Sequence, residues 1–153
     1  MAIADKIFRG DLWQRDCATV INALQTDIRA DLPDNTVIAA GTYTPTLTNV
    51  ANLDGSTAYG CQYIRVGSVV TVGGRVDIDP TTTLTVTQLG ISLPIASNFA
   101  ASNECGGAAS AVNVAGQCAA IAADPTNNRA EMAWTAVDTT NQAMFFTFTY
   151  RII

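Results

Sequence analysis

The sequence predicts a mainly β protein, an antiparallel β-sandwich of jelly-roll type preceded by one short N-terminal α-helix. Three observations carry this reading. Charge divides the chain: residues 1–35 hold ten of the 21 charged side chains, and the remaining 118 residues hold eleven. After Asn35 threonine becomes frequent, and Pro and Gly recur at intervals of about eight to twelve residues, the spacing of short strands in a sandwich or barrel. Two segments, 58–79 and 132–152, alternate apolar and polar residues with the period of two that marks half-buried strands. The domains are accordingly an N-terminal arm and helix, 1–35, and a β-domain, 36–153.

The helix is expected over residues 11–31. Asp11 followed by Gln14 forms an N-cap with a capping-box partner. Trp13, Cys17, Val20, Ile21, Leu24 and Ile28 then fall on one 3.6-residue stripe. Asp31-Leu32-Pro33 ends it, because the residue before a proline avoids helical geometry. The 13-17-20-24 spacing also fits an alternating four-three seam between helices. Two heptads are too short to stand alone, so the stripe packs on its own domain or on copies of itself. Ile3, Ile7 and Phe8 precede the cap, beside Lys6, the one lysine of the chain. They have no obvious place in a sandwich core, and two readings stand: they fold back on their own domain or fray, or they dock to a larger assembly.

Strands are expected at Val37–Ala40 and Tyr43–Thr48, then as a hairpin over Ala58–Asp79. Gly67-Ser68 suits a two-residue turn with glycine first. Pairing Val66 with Val69 sets Tyr63 against Val72, Cys61 against Gly74 and Tyr59 against Val76. One face then reads Tyr59, Cys61, Tyr63, Val70, Val72, Val76 and Ile78. Leu84–Leu93 follows, then two strands of small residues near 105–115 and 117–123, suited to close sheet approach, a subunit interface or a thin core edge. Met132 and Trp134 share a face. After a polar turn at Asp138–Asn141, Met144, Phe146, Phe148, Tyr150 and Ile152 line another. The total is nine or so strands.

Composition removes several function classes. The chain is 48% hydrophobic and 14% charged, against roughly 25% charge in ordinary globular domains, which excludes bulk disorder. A net charge of −5 with no basic stripe excludes most nucleic-acid binders, and no nucleic-acid partner is expected. No stretch is apolar enough to span a membrane. Histidine is absent, which removes Ser-His-Asp and Cys-His catalysis and the usual transition-metal sites. No cofactor is expected. Cys17, Cys61, Cys105 and Cys118 contain no C-x-x-C pair. Two readings of them stand, a Cys105–Cys118 disulfide between neighbouring strands or small buried thiols.

The remaining chemistry is thin. Asp77 and Asp79 share a strand face that could touch calcium, which needs six to eight oxygens. Asp77, Asp79, Glu104, Asp124, Glu131 and Asp138 offer carboxylates but no motif that pairs two of them as a glycosidase requires. Gly106-Gly107 lacks the Lys-Ser/Thr of a phosphate loop. Trp134, at an alternating position, reads as core.

The run Gly41-Thr-Tyr-Thr-Pro-Thr-Leu-Thr-Asn49, the run Cys61-Gln-Tyr-Ile-Arg-Val-Gly-Ser-Val-Val-Thr-Val-Gly-Gly74 and the run Ile91-Ser-Leu-Pro-Ile-Ala96 together resemble a β-sandwich domain of tailed-phage virion proteins. The likeness covers Gly41 to Phe99 well and the rest loosely. It implies a non-enzymatic, usually trimeric structural protein exposed on a phage particle and made in the host bacterial cytoplasm. A short helix in place of an extended shaft favours a head-decoration, head-fibre or tail-tip protein. The implied partners are two further copies of the chain and other virion proteins of capsid or tail. The alternative is a tail-fibre module that recognises a host surface glycan through loops such as Leu53–Thr57 or Asp124–Asn128; neither loop contains an aromatic.

Deleting residues 1–10 should leave a soluble, folded and still oligomeric protein that no longer adds to particles lacking it. Undiminished binding of the shortened chain, read by co-sedimentation, would move the docking surface onto the β-domain.

Overall fold

The computed structural model describes residues 19–24 and 37–153. The chain divides into two units, Met1–Thr36 and Val37–Ile153. In the first, residues 19–24 are helical, inside the span expected for the helix. The Asp11 cap, the Pro33 stop and the candidate docking residues Ile3, Ile7, Phe8, Trp13 and Ile28 lie outside the described residues.

The second unit is mainly antiparallel β; 59% of the described residues are strand and 7% helix. Ten strands are present: β1 (Ile38–Tyr43), β2 (Leu47–Ala51), β3 (Leu53–Ala58), β4 (Cys61–Val66), β5 (Val69–Pro80), β6 (Val86–Ile91), β7 (Cys105–Ala111), β8 (Cys118–Asp124), β9 (Arg129–Thr135) and β10 (Gln142–Arg151). All join one curled sheet in the order β1-β4-β5-β10-β7-β8-β9-β6-β2, and β3 pairs with the second half of β5.

The core lies on the inner face and follows the period of two. Val70, Val72, Val76 and Ile78 enter from β5, Leu89 and Ile91 from β6, Met132 and Trp134 from β9. The decisive strand is β10, whose Met144, Phe146, Phe148 and Tyr150 are buried in alternation, as the sequence predicts. Their cross-strand partners are small. Phe146 lies between Gly74 and Ala109, Phe148 between Val72 and Gly107, Tyr150 between Val70 and Cys105. A Cβ on Gly107 would meet the Phe148 Cβ at 2.5 Å. The small residues of β7 thus make room for a row of rings, with Phe146 and Phe148 stacked at 5.8 Å. A buried aromatic side chain contributes about 1.5–3 kcal/mol by leaving water.

The β4–β5 hairpin keeps the predicted register, with Val66 opposite Val69 and Tyr63 opposite Val72. Cys61 occupies the space that Gly74 vacates, since a Cβ there would approach the Cys61 Sγ to 2.2 Å. Tyr59 departs from expectation. Ala58, not Tyr59, opposes Val76, so Tyr59 and Gly60 together face Arg75 alone. That extra residue is a β-bulge, which re-aims the side chains beyond it, and Tyr59 turns to the outer face. Leu53–Thr57, expected as a loop, is part of strand β3 and brings the total to ten.

One seam closes the curl. Asn52, in the left-handed region at φ 55°, joins β2 to β3. Its Nδ2 donates to the Thr82 carbonyl at 2.8 Å and to Thr87 Oγ at 2.7 Å, while its Oδ1 accepts from the Thr81 hydroxyl. Ser56 Oγ donates to Asn49 Oδ1 at 2.6 Å across the same seam. Asparagine tolerates this backbone and fixes it with its side chain.

A strap over residues 92–101 crosses one end of the core. Tyr150 Oη donates to the Ile95 carbonyl at 2.7 Å, Tyr43 Oη to the Ser92 carbonyl at 3.2 Å, and Ser97 Oγ to the Arg151 carbonyl at 2.9 Å. Burial pushes the Tyr150 phenol up to about 12 and the Cys105 thiol up to about 12. Cys61, Cys105 and Cys118 are free thiols. The register sets Ser110 opposite Cys118 and Gly106 opposite Ala122, which puts Cys105 at the far end of the β7–β8 pair from Cys118. A Cys105–Cys118 disulfide is therefore ruled out by strand pairing.

Gly74→Ala should destabilise the fold by about 1–3 kcal/mol through overpacking against Cys61. Chemical denaturation should show part of that loss recovered in the double variant with Cys61→Gly, whereas an additive double variant would sink this account.

Candidate functional site

The outer face of β1, β4, β5 and β10 carries the unit's most distinctive surface. Residues opposite one another in antiparallel strands point to the same face, so the register defines rows across the sheet. The first row is Ile38, Val66, Val69 and Arg151; the second is Ala40, Ile64, Thr71 and Thr149; the third is Thr42, Gln62, Gly73 and Thr147. Because β5 contributes Thr71 and Gly73, it forms the floor of a trough of about 710 Å³. Gln62 and Ile64 wall it on one side, Phe145 and Thr147 on the other.

One end of the trough is set by the bulge. Tyr59 Oη donates to Asp77 Oδ2 at 2.8 Å, and Arg75 donates to both oxygens of Asp77, from Nε at 2.9 Å and Nη2 at 3.0 Å. The Arg75 guanidinium also lies 4.6 Å above the Tyr59 ring and 6.0 Å from the Phe145 ring. Two partly exposed aromatics therefore flank a paired cation and anion, an arrangement that offers ring faces and directional hydrogen bonds side by side. The hydrogen bond to Asp77 raises the Tyr59 phenol above its ordinary value.

Four of the other acids serve the fold. Asp124 accepts from the Thr126 and Asn127 amides and from Arg129 Nε at 2.9 Å. Burial pushes its carboxyl up, but the bonds from Asn127 and Arg129 outweigh that and hold it below the usual range. Glu104 accepts from the Ala100 and Ala101 amides, and Asp138 accepts from the Thr140 amide, which lowers its carboxyl. Glu131 accepts from Gln88 Nε2 at 2.9 Å. Among the described residues no group of three or more His, Cys, Asp or Glu side chains could hold a metal ion, and Asp77 is engaged by Arg75 and Tyr59. Asp124–Asn128 is a tight turn whose Asn128 Oδ1 accepts from the Phe99 amide.

Of the sequence-predicted site residues, Val20 and Leu24 fall on the described helical turn. Val20 is half-buried and Leu24 exposed, as is Ile21. Neither the trough nor the apolar first row was singled out from the sequence. The available signal was apolar residues at adjacent positions, Tyr63-Ile64 and Val69-Val70, which a strand with only one buried face does not need. No helix among the described residues is long and apolar enough to cross a membrane. No family model, no curated protein and no solved structure matches the chain.

Because the Tyr59 phenol is raised, its bond to Asp77 is fully present below the ordinary tyrosine value near 10 and is lost as pH rises through the raised value. Burial raises Tyr43 and Tyr150 too, so an ultraviolet absorbance titration should show several late tyrosine steps, of which one moves toward neutrality in Asp77→Asn and is lost in Tyr59→Phe. An unmoved step in Asp77→Asn would remove this assignment.

Proposed function

We propose that this chain is a non-enzymatic structural subunit of a tailed-phage particle, a homotrimeric decoration, head-fibre or tail-tip protein exposed on the virion. The curled sheet is read as the jelly-roll-like sandwich of such proteins, and residues 1–35 as the device that docks it. The observation that carries this reading is the first outer row. Ile38, Val66 and Val69 stand exposed side by side, with Arg151 of β10 at the end of the row, and an apolar surface of that kind serves contact with other protein. The sequence resemblance over Gly41–Phe99 supplies the virion setting. Asp77, Glu104, Asp124, Glu131 and Asp138 are engaged by arginines, backbone amides and Gln88, which supports a structural role for them.

A second reading draws on the trough. The glycan-recognising module expected at Leu53–Thr57 or Asp124–Asn128 lacked an aromatic there, but Tyr59 and Phe145 stand partly exposed beside Asp77, Arg75 and Gln62. Rings with neighbouring hydrogen-bonding groups suit a sugar.

Gel filtration with light scattering should give three times the 16.1 kDa monomer mass, and antibody against residues 37–153 should label the outside of purified particles. A clean monomer at micromolar concentration overturns the trimer. Polysaccharide binding that Phe145→Ala abolishes in an intact oligomer would favour the second reading.

A further inference from the structure

We infer that the trough over β5 binds a neutral saccharide, which rests on the open floor at Gly73 with Phe145 on one side and Gln62 on the other. The inference rests on the second reading above, that the trough takes a sugar, and names the class of sugar and the residue that admits it.

The glycines of the sheet carry the first argument. Gly41, Gly74, Gly90 and Gly107 each leave room for a side chain of the protein itself, for Tyr63, Cys61, Arg129 and Phe148 in turn. Gly73 does not. A Cβ there would meet nothing nearer than the Phe146 carbonyl oxygen at 3.9 Å, and its backbone is outside the left-handed region that favours glycine. Gly55, Gly60 and Gly106 are as open, but the first two sit at irregularities of pairing and the third at the start of β7. Gly73 is paired regularly on both sides, with Gln62 and with Thr147. Glycine weakens the middle of a strand, and where neither packing nor backbone requires it, it marks the close approach of something else. The trough it floors, about 710 Å³, falls within the roughly 300–1,000 Å³ of small-ligand sites.

The walls suit a sugar. Phe145, directly opposite Arg75 in the register, is 48% exposed and offers a ring to the C–H face of a pyranose. Across the floor Gln62 is exposed, and its side-chain amide has no partner among the described residues. It holds out a donor and an acceptor together, which two neighbouring hydroxyls match. The Thr147 hydroxyl donates to the Val72 carbonyl at 3.0 Å, which leaves its oxygen to accept.

Charge sets the class. Arg75 is the one charged side chain that lines the trough, and Asp77 takes its Nε and its Nη2. Arg151 stands two rows beyond Gly73, outside the lining. No unpaired cation is therefore at hand to offset the desolvation of a carboxylate or sulfate, on a chain that already carries −5. Arg75 Nη1 has no partner among the described residues and keeps its hydrogens for a hydroxyl.

Calorimetric titration of the full chain tests this with tetrasaccharides of glucose, mannose, galactose and N-acetylglucosamine, and with tetragalacturonate and tetrasialic acid as acidic probes. At least one neutral probe should bind, at least tenfold more tightly than either acidic one. Gly73→Val should cut that affinity at least tenfold with the melting temperature unchanged or raised. Gly106→Val, at a position as open but outside the trough, should bind as the unaltered chain does. Tighter binding of an acidic probe, full affinity in Gly73→Val or equal loss in Gly106→Val overturns the inference and leaves the sugar reading standing. Failure of every probe overturns both. Should Gly73→Val not fold, nuclear magnetic resonance of the unaltered protein decides: the Gly73 and Gln62 backbone amides should shift as the neutral probe saturates, and unmoved amides overturn the inference.

Discussion

The unit depends on the fit between the rings of β10 and the missing side chains beside them. Phe146, Phe148 and Tyr150 fill the middle of the core because Gly74, Ala109 and Gly107 stand opposite and leave space. The same device recurs at the rim, where the Tyr63 ring takes the room above Gly41. Large-beside-small pairing lets a sheet with few long aliphatic residues reach interior density. It also binds β5, β10 and β7 into one block, on which the flanking strands are added. The strap over residues 92–101 then fastens to that block through Tyr150, so the same ring that fills the core also fixes the cover above it.

The segments legible in the sequence were those whose neighbours in space are neighbours in the chain. The β4–β5 register followed from one turn, Gly67-Ser68, and the β10 face from strict alternation. Tyr59 was misplaced because a bulge shifts the pairing by one residue and leaves no local mark beyond Gly60. β3 was read as a loop because Leu-Asp-Gly-Ser-Thr-Ala carries turn residues, and only the partner β5 makes it a strand. The small-residue strands admitted three readings until their partner was known. For β7, beside the β10 rings, the small composition becomes a packing requirement.

Much the same holds for the surface. Alternation alone assigns Ile64, Val66 and Val69 to the solvent side, where their apolar character has no explanation within one strand. Only the pairing of β1, β4 and β5 assembles them with Ile38 into a block. The Tyr59–Asp77–Arg75 cluster was equally hidden, since it exists through the bulge that the local pattern does not announce. Candidate residues in the arm were chosen by a different signal, apolar side chains without a core to enter. Of these, Leu24, in the described helical turn, is exposed.

The β4–β5 turn joins two segments of the unit that are far apart in sequence. Gly67 bonds the Val37 carbonyl, and the Ile152 amide bonds Ser68, so residues 37 and 152 flank one turn. The loops at 81–85, 112–117 and 136–141 lie at the other end of the same strands. The unit therefore has two unlike ends: one holds residues 37 and 152 by backbone hydrogen bonds to the β4–β5 turn, and the other carries three loops. Exchange of those three loops would leave the ring-and-glycine block of β5, β10 and β7 as it is.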